Sequence, residues 1–171
     1  MNSPHLIKLQ IAAFAVILTV AAPHSLQAQA RSQGRIYNSQ ADKCLQPLNG
    51  GTAPGTAIVL AACDDSPPQQ WMRVVVNGST LHYVNQRTGL CLDARGAAAN
   101  HTPVQQWTCD AITNENWQYE QATNAPQPKV VSRVSGTTGF CLDVPGGGTD
   151  VGIAVQIYGC NGSPAQYWFA P

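Results

Sequence analysis

The chain has 171 residues, with nine basic against nine acidic side chains and only 11% of its residues charged. So balanced a charge supplies no field for gathering phosphates, which argues against nucleic acid and anionic membrane surfaces as partners. Glycine and proline number 15 and 12, and with Ser, Thr, Asn and Gln they suit short strands joined by many turns rather than long helices.

Residues 1–30 read as a secretion signal. Lys8 is the clear charge there, residues 11–22 are apolar, Pro23 ends the run, and Ala28-Gln29-Ala30 is a small-x-small cleavage site ahead of Arg31. The apolar run falls short of the roughly 20 residues a membrane span needs, so no membrane insertion is expected. Cleavage would leave residues 31–171, the length of one domain, in a secreted and extracellular location. All six cysteines lie in that part. An even count behind a signal reads as three disulfides formed in an oxidising compartment.

From residue 35 onward the chain repeats itself. Its cysteines fall at 44/63, 91/109 and 141/160, and Trp71, Trp117 and Trp168 each follow the second cysteine of a pair by 8 residues. Three copies result, at about 35–77, 80–122 and 129–171. Between the anchors DKCLQP, GLCLDA and GFCLDV correspond, then VLAAC, QQWTC and QIYGC, then QQW, ENW and QYW. Of the possible pairings, the periodicity favours Cys44–Cys63, Cys91–Cys109 and Cys141–Cys160, which close the same loop in every copy. In the chain-entropy model each such loop contributes roughly 3 kcal/mol.

Strands are expected at 81–84, 90–92, 104–109 and 117–119 in the second copy, and at 129–134, 140–142, 154–158 and 168–169 in the third. Gly and Pro clusters such as Pro67-Pro68 and Pro145-Gly146-Gly147-Gly148 separate strands and mark turns. Four strands per copy make about twelve. Three copies are too few for a propeller, and the polar end repeats of a solenoid are missing. A closed threefold β structure leaves no strand edge exposed, and the tryptophan ending each copy then fills a shared core.

Cys-Leu-Asp, then Gln-x-aromatic-x-Cys, then Gln-x-Trp, repeated three times with local departures, resembles the ricin B-type (R-type) lectins. The resemblance covers residues 31–171 and implies an all-β fold, a β-trefoil of three repeats with one disulfide each. It also implies one shallow sugar pocket per intact repeat, often for galactose-type sugars. In such a pocket an Asp after the first cysteine takes the hydroxyls, an aromatic before the second cysteine stacks on the ring, and a Gln and an Asn complete the contacts. Carried onto this chain, the second copy supplies Asp93, Gln105, Trp107 and Asn114. The third supplies Asp143, Gln156, Tyr158 and Gln166, with Ala165 in the Asn position. The first has Gln46, Val59, Ala61 and Pro68 at the four positions, so its pocket is expected to be lost. Glu115 replaces the Gln of Gln-x-Trp in the second copy, which is expected to bring two carboxylates close together there.

The expected function is non-catalytic binding of glycans, cell-surface or polysaccharide, with no cofactor and no metal. The joint loss of acid, amide and aromatic in one copy favours a shared role for them over separate turn and core roles. A glycosidase would need two carboxylates flanking one bond, and Asp93 with Glu115 is the only candidate pair. His82 and His101 stand outside any Ser-His-Asp pattern, and the cysteines lack the close spacing of a zinc site. A glycan-binding subunit of a secreted toxin or enzyme complex would use the same pockets. A β-trefoil protease inhibitor would use an exposed loop instead. The sequons at Asn77, Asn100 and Asn161 mark surface loops.

Overall fold

A computed structural model describes residues 31–121, 127–136 and 139–171. Residues 1–30, where the secretion signal is read, lie outside the described residues. Among the described residues there are thirteen strands, and every helical segment is a single three-residue 3-10 turn. A first strand, β1 (Arg31–Gly34), pairs with a later one. Twelve strands follow in sets of four. The first set is β2 (Tyr37–Asn38), β3 (Lys43–Pro47), β4 (Ile58–Ala61) and β5 (Trp71–Asn77). The second is β6 (Thr80–Asn85), β7 (Cys91–Ala94), β8 (Thr102–Trp107) and β9 (Trp117–Glu120). The third is β10 (Lys129–Ser132), β11 (Phe140–Asp143), β12 (Gln156–Gly159) and β13 (Trp168–Phe169).

Each copy contributes one hairpin, β3–β4, β7–β8 or β11–β12. The strands that start and end the copies pair across copy boundaries, as β5–β6, β9–β10 and β13–β2. The hairpins meet one another through three equivalent contacts: Val59 with Ala154, Ala57 with Gln105, and Gln156 with Pro103. In each pair the residues stand four and six positions before a second cysteine. All three expected disulfides form, one in each copy.

The core has the same threefold logic. Trp71, Trp117 and Trp168 are fully buried, and each indole N–H donates to the carbonyl of the leucine after a first cysteine: Leu45 at 3.1 Å, Leu92 at 2.8 Å and Leu142 at 2.9 Å. A buried indole N–H needs a partner, and this arrangement supplies it while keeping the rings in the core. Ile58, Val104 and Val155, equivalent residues of the hairpins, are buried beside them. The copies differ in the length of the turn before the first cysteine. Asn38 and Asn85 each stand six residues before a first cysteine, whereas Ser132 stands nine before Cys141. These three are buried polar residues whose side chains accept turn N–H groups from Ala41, from Arg87 and Thr88, and from Val134. The longer third turn accounts for the larger separation of the second and third first-cysteines.

Candidate functional site

The hairpin register brings the acid and amide of each copy together. Asp93 faces Gln105 across β7–β8, and Asp143 faces Gln156 across β11–β12. Directly opposed residues on paired antiparallel strands lie close enough for their side chains to meet. The amide nitrogen of Gln105 donates to Asp93 Oδ1 at 2.8 Å, and that of Gln156 to Asp143 Oδ2 at 3.0 Å. Two residues further along the same strand, and so on the same face, stand Trp107 and Tyr158. The intervening Gln106 and Ile157 turn inward and are fully buried. Both acids and both amides are buried, but Trp107 is 39% exposed. Tyr158 is half-buried. The aromatics therefore stand as accessible faces beside recessed polar groups.

The Gln of the Gln-x-Trp turn supports the residue at the acid position from behind in the first and third copies. In the third copy Gln166 is buried, its Nε2 donating to Asp143 Oδ1 at 3.1 Å and to the Gly159 carbonyl at 3.0 Å. Its Oε1 accepts the Asn161 N–H at 2.9 Å. Gln69 repeats this in the first copy, donating to Gln46 Oε1 and the Ala62 carbonyl and accepting from the Asp64 N–H. Gln166 thus stands behind Asp143 with both ends of its amide engaged. In the first copy Val59 and Ala61 are buried apolar residues, and no aromatic face is present.

Glu115 keeps only half of that arrangement. Its carboxyl accepts the N–H groups of Asp110 at 3.0 Å and Ala111 at 3.3 Å, but a carboxylate has no proton to donate where Gln69 and Gln166 have one. It is fully buried, and burial raises its pKa above 4.5, with the Asp110 charge adding to the rise and the two backbone N–H bonds opposing it. Asp93 is likewise raised, chiefly by burial against the Gln105 hydrogen bond, with Asp110 again adding to it. The charge common to both shifts is Asp110. His82 Nε2 lies 3.9 Å from Glu115 Oε2 and 3.0 Å from Asn116 Oδ1. His82, Cys91 and Glu115 converge, but the sulfur of Cys91 is bonded to Cys109, leaving two ligands where a structural zinc site takes four.

The sign of the pH effect follows from the raised shift. Folded Glu115 holds its proton to a higher pH than the unfolded chain does, so stability falls as pH rises from 4.5 to its folded value and is constant above. Glu115→Gln is expected to raise stability at pH 8 and to flatten the stability difference between pH 4 and pH 8, measured by urea unfolding at both. An unchanged pH dependence would show that Glu115 is not the group responsible.

Asn114 meets the second site in a way its position in the motif does not reveal. Its amide nitrogen donates to the carbonyls of Ala94 at 2.9 Å and Gly96 at 3.2 Å, tying the turn after β7 to the 3-10 turn Thr113–Glu115. Both of its amide hydrogens are thereby engaged, leaving its oxygen as the remaining hydrogen-bonding group. Ala165, its counterpart, is buried.

Around the third site lies an open cavity of about 480 Å³. Asp143, Gln156 and Tyr158 line it, together with His101 from the second copy and Gln40 from the first. Gln40 donates to the Gly147 carbonyl at 3.0 Å. His101 Nδ1 is 3.2 Å from Gln156 Oε1, and its ring meets Tyr158 edge-on with centroids 5.0 Å apart. Neither residue belongs to the motif. His101 carried a signal in the spacing nonetheless, because the position eight before the second cysteine is Gly55, His101 and Gly152 in the three copies.

The sequence profile of the ricin-type β-trefoil lectin domain matches residues 32–168. Among solved structures, the designed threefold-symmetric protein ThreeFoil superposes with a TM-score of 0.73 at 23% identity, over 80% of this chain and 95% of its own. An exo-β-1,3-galactanase from Clostridium thermocellum gives 0.73 at 25% identity over 80% of this chain, which spans only 29% of the enzyme. The ricin B-like lectin of Macrolepiota procera, solved in complex with lactose, gives 0.67 at 19% identity, over 80% of this chain and 92% of its own. With the threefold hairpins, the disulfides and the tryptophan core, these matches lead to one conclusion: the chain belongs to the ricin-type β-trefoil lectin domain family.

Proposed function

We propose that this protein is a secreted lectin that binds galactose-type or related sugars through two pockets and catalyses nothing itself. One pocket comprises Asp93, Gln105, Trp107 and Asn114, the other Asp143, Gln156 and Tyr158 with Gln166 behind the acid. The observation that carries the reading is the acid–amide hydrogen bond beside an accessible aromatic, present in two copies and absent from the copy with Gln46, Val59 and Ala61. An aromatic face covers the C–H surface of a pyranose, and a recessed carboxylate with an amide beside it meets the hydroxyls. Two pockets on one rigid body would raise avidity for clustered glycans through effective concentration. The secretion signal over residues 1–30 belongs to the same proposal, and three disulfides fit it.

A glycan array with the mature chain tests the reading. Retention on one family of sugars is expected, with Asp93→Ala combined with Asp143→Ala abolishing it. A folded protein that retains no sugar would end the proposal. Glu115→Gln is expected to keep or strengthen binding, since its amide could donate as Gln69 and Gln166 do. A large loss would mean that Glu115 itself touches the sugar. A second reading, the glycan-binding part of a larger toxin or enzyme assembly, is favoured by the similarity to a segment of the exo-β-1,3-galactanase. Co-purification with a catalytic partner would distinguish it.

A further inference from the structure

We infer that His101, carried by the second copy, is a positioning residue of the third copy's pocket, where its Nδ1–H holds the amide of Gln156 in the orientation that binds. The inference rests on the reading of that pocket as a sugar site.

The backbone shows what this residue displaces. The N–H of His101 donates to the Ile157 carbonyl at 3.1 Å, just as Gly55 donates to Gln106 at 2.8 Å and Gly152 to Leu60 at 2.8 Å. All three have left-handed φ, at 86°, 66° and 91° for Gly55, His101 and Gly152. Two copies fill this position with glycine, which adopts that conformation without a Cβ clash. The second copy places a histidine there, against the backbone preference, and the side chain that results points at the neighbouring pocket.

The hydrogen-bond chemistry then assigns every proton. Asp143 Oδ2 accepts from Gln156, so the amide nitrogen of Gln156 faces the acid and its oxygen faces His101. An amide oxygen only accepts. His101 therefore donates, and Nδ1 carries the hydrogen. The result is a directed chain from His101 to Gln156 to Asp143, with Gln166 donating to the other oxygen of Asp143. The histidine adds a second restraint to the one Asp143 supplies, because a half-turn of the Gln156 amide would set its oxygen against the carboxylate and its N–H groups against the Nδ1–H. The second copy's pocket has no such device, since its facing residue is Gly55, where an added Cβ would sit 3.5 Å from the Trp107 ring.

Two measurements test this. Nitrogen NMR on the unliganded protein is expected to show His101 as the Nδ1–H tautomer and to show the Gln156 side-chain amide shifted in His101→Gly. An Nε2–H tautomer would overturn the inference without reference to any sugar. Binding is then measured by calorimetry with lactose and with a galactose-terminated glycopeptide, in a Trp107→Ala background that silences the other pocket. There His101→Gly is expected to weaken binding about tenfold, the size of one hydrogen bond. His101→Asn should restore it to within about twofold, because its Nδ2 hangs from the same carbon as the imidazole Nδ1 and asparagine tolerates left-handed backbone. Equal affinity for the His101→Gly variant would overturn the proposal. If the Trp107→Ala background binds neither probe while the Nδ1–H tautomer is seen, the sugar reading of the third pocket fails and takes this role of His101 with it.

Discussion

Trp107→Ala combined with Tyr158→Ala is expected to abolish retention on an immobilised glycan while leaving the fold intact. Both aromatics stand on the outer face of their hairpins. Trp107 is 39% exposed and Tyr158 half-buried, so each has ring area free for a ligand. Covering about 80 Å² of ring with a pyranose contributes about 2 kcal/mol at 25 cal/mol per Å². Removing it weakens each pocket roughly 30-fold, and losing both also removes the avidity between them. The melting temperature should fall by less than about 4 °C, since little core contact is lost. Affinity chromatography and calorimetric melting on the same sample separate the two effects. A double variant that unfolds would mean that these rings are core, and the stacking assignment would fall.

Trp117→Ala carries the opposite expectation, a collapse of stability with the site residues untouched. The ring is fully buried and its N–H satisfies the Leu92 carbonyl at 2.8 Å. Truncating a buried tryptophan costs about 3–5 kcal/mol, and stranding a buried carbonyl adds about 1–3 kcal/mol. Together these approach the whole stability of a typical domain, about 5–15 kcal/mol. Urea unfolding should show a population largely unfolded at 37 °C, and Trp71→Ala and Trp168→Ala should behave alike because their surroundings are equivalent. A loss below about 1 kcal/mol would refute the shared core.

The site was legible in the chain to the extent that it is local to one hairpin. Asp93 and Gln105 sit at fixed distances from Cys91 and Cys109, and strand pairing alone opposes them. The same holds for Asp143 and Gln156. What the motif left open was how each group is engaged. Asn114 uses its nitrogen on the backbone of Ala94 and Gly96, and Gln166 is sealed behind Asp143. Glu115 was expected to press on another carboxylate. The charge that acts on it is that of Asp110, whose own N–H it accepts.

Periodicity belongs to the order of residues. The number of copies, the cysteine pairing, the three core tryptophans and the first copy's departure from the motif at Gln46, Val59 and Ala61 could therefore be read by comparing the chain with itself. The contacts between copies could not. His101 meets Gln156 across 55 residues of chain, Gln40 reaches Gly147 across 107, and Gly55 lies under Trp107. Such pairs come together only when the three hairpins close on one another. The residue that faces each pocket is donated by the copy before it, at a backbone position where a side chain is normally avoided. Local sequence determined what each pocket contains, and closure of the trefoil decided what stands over it.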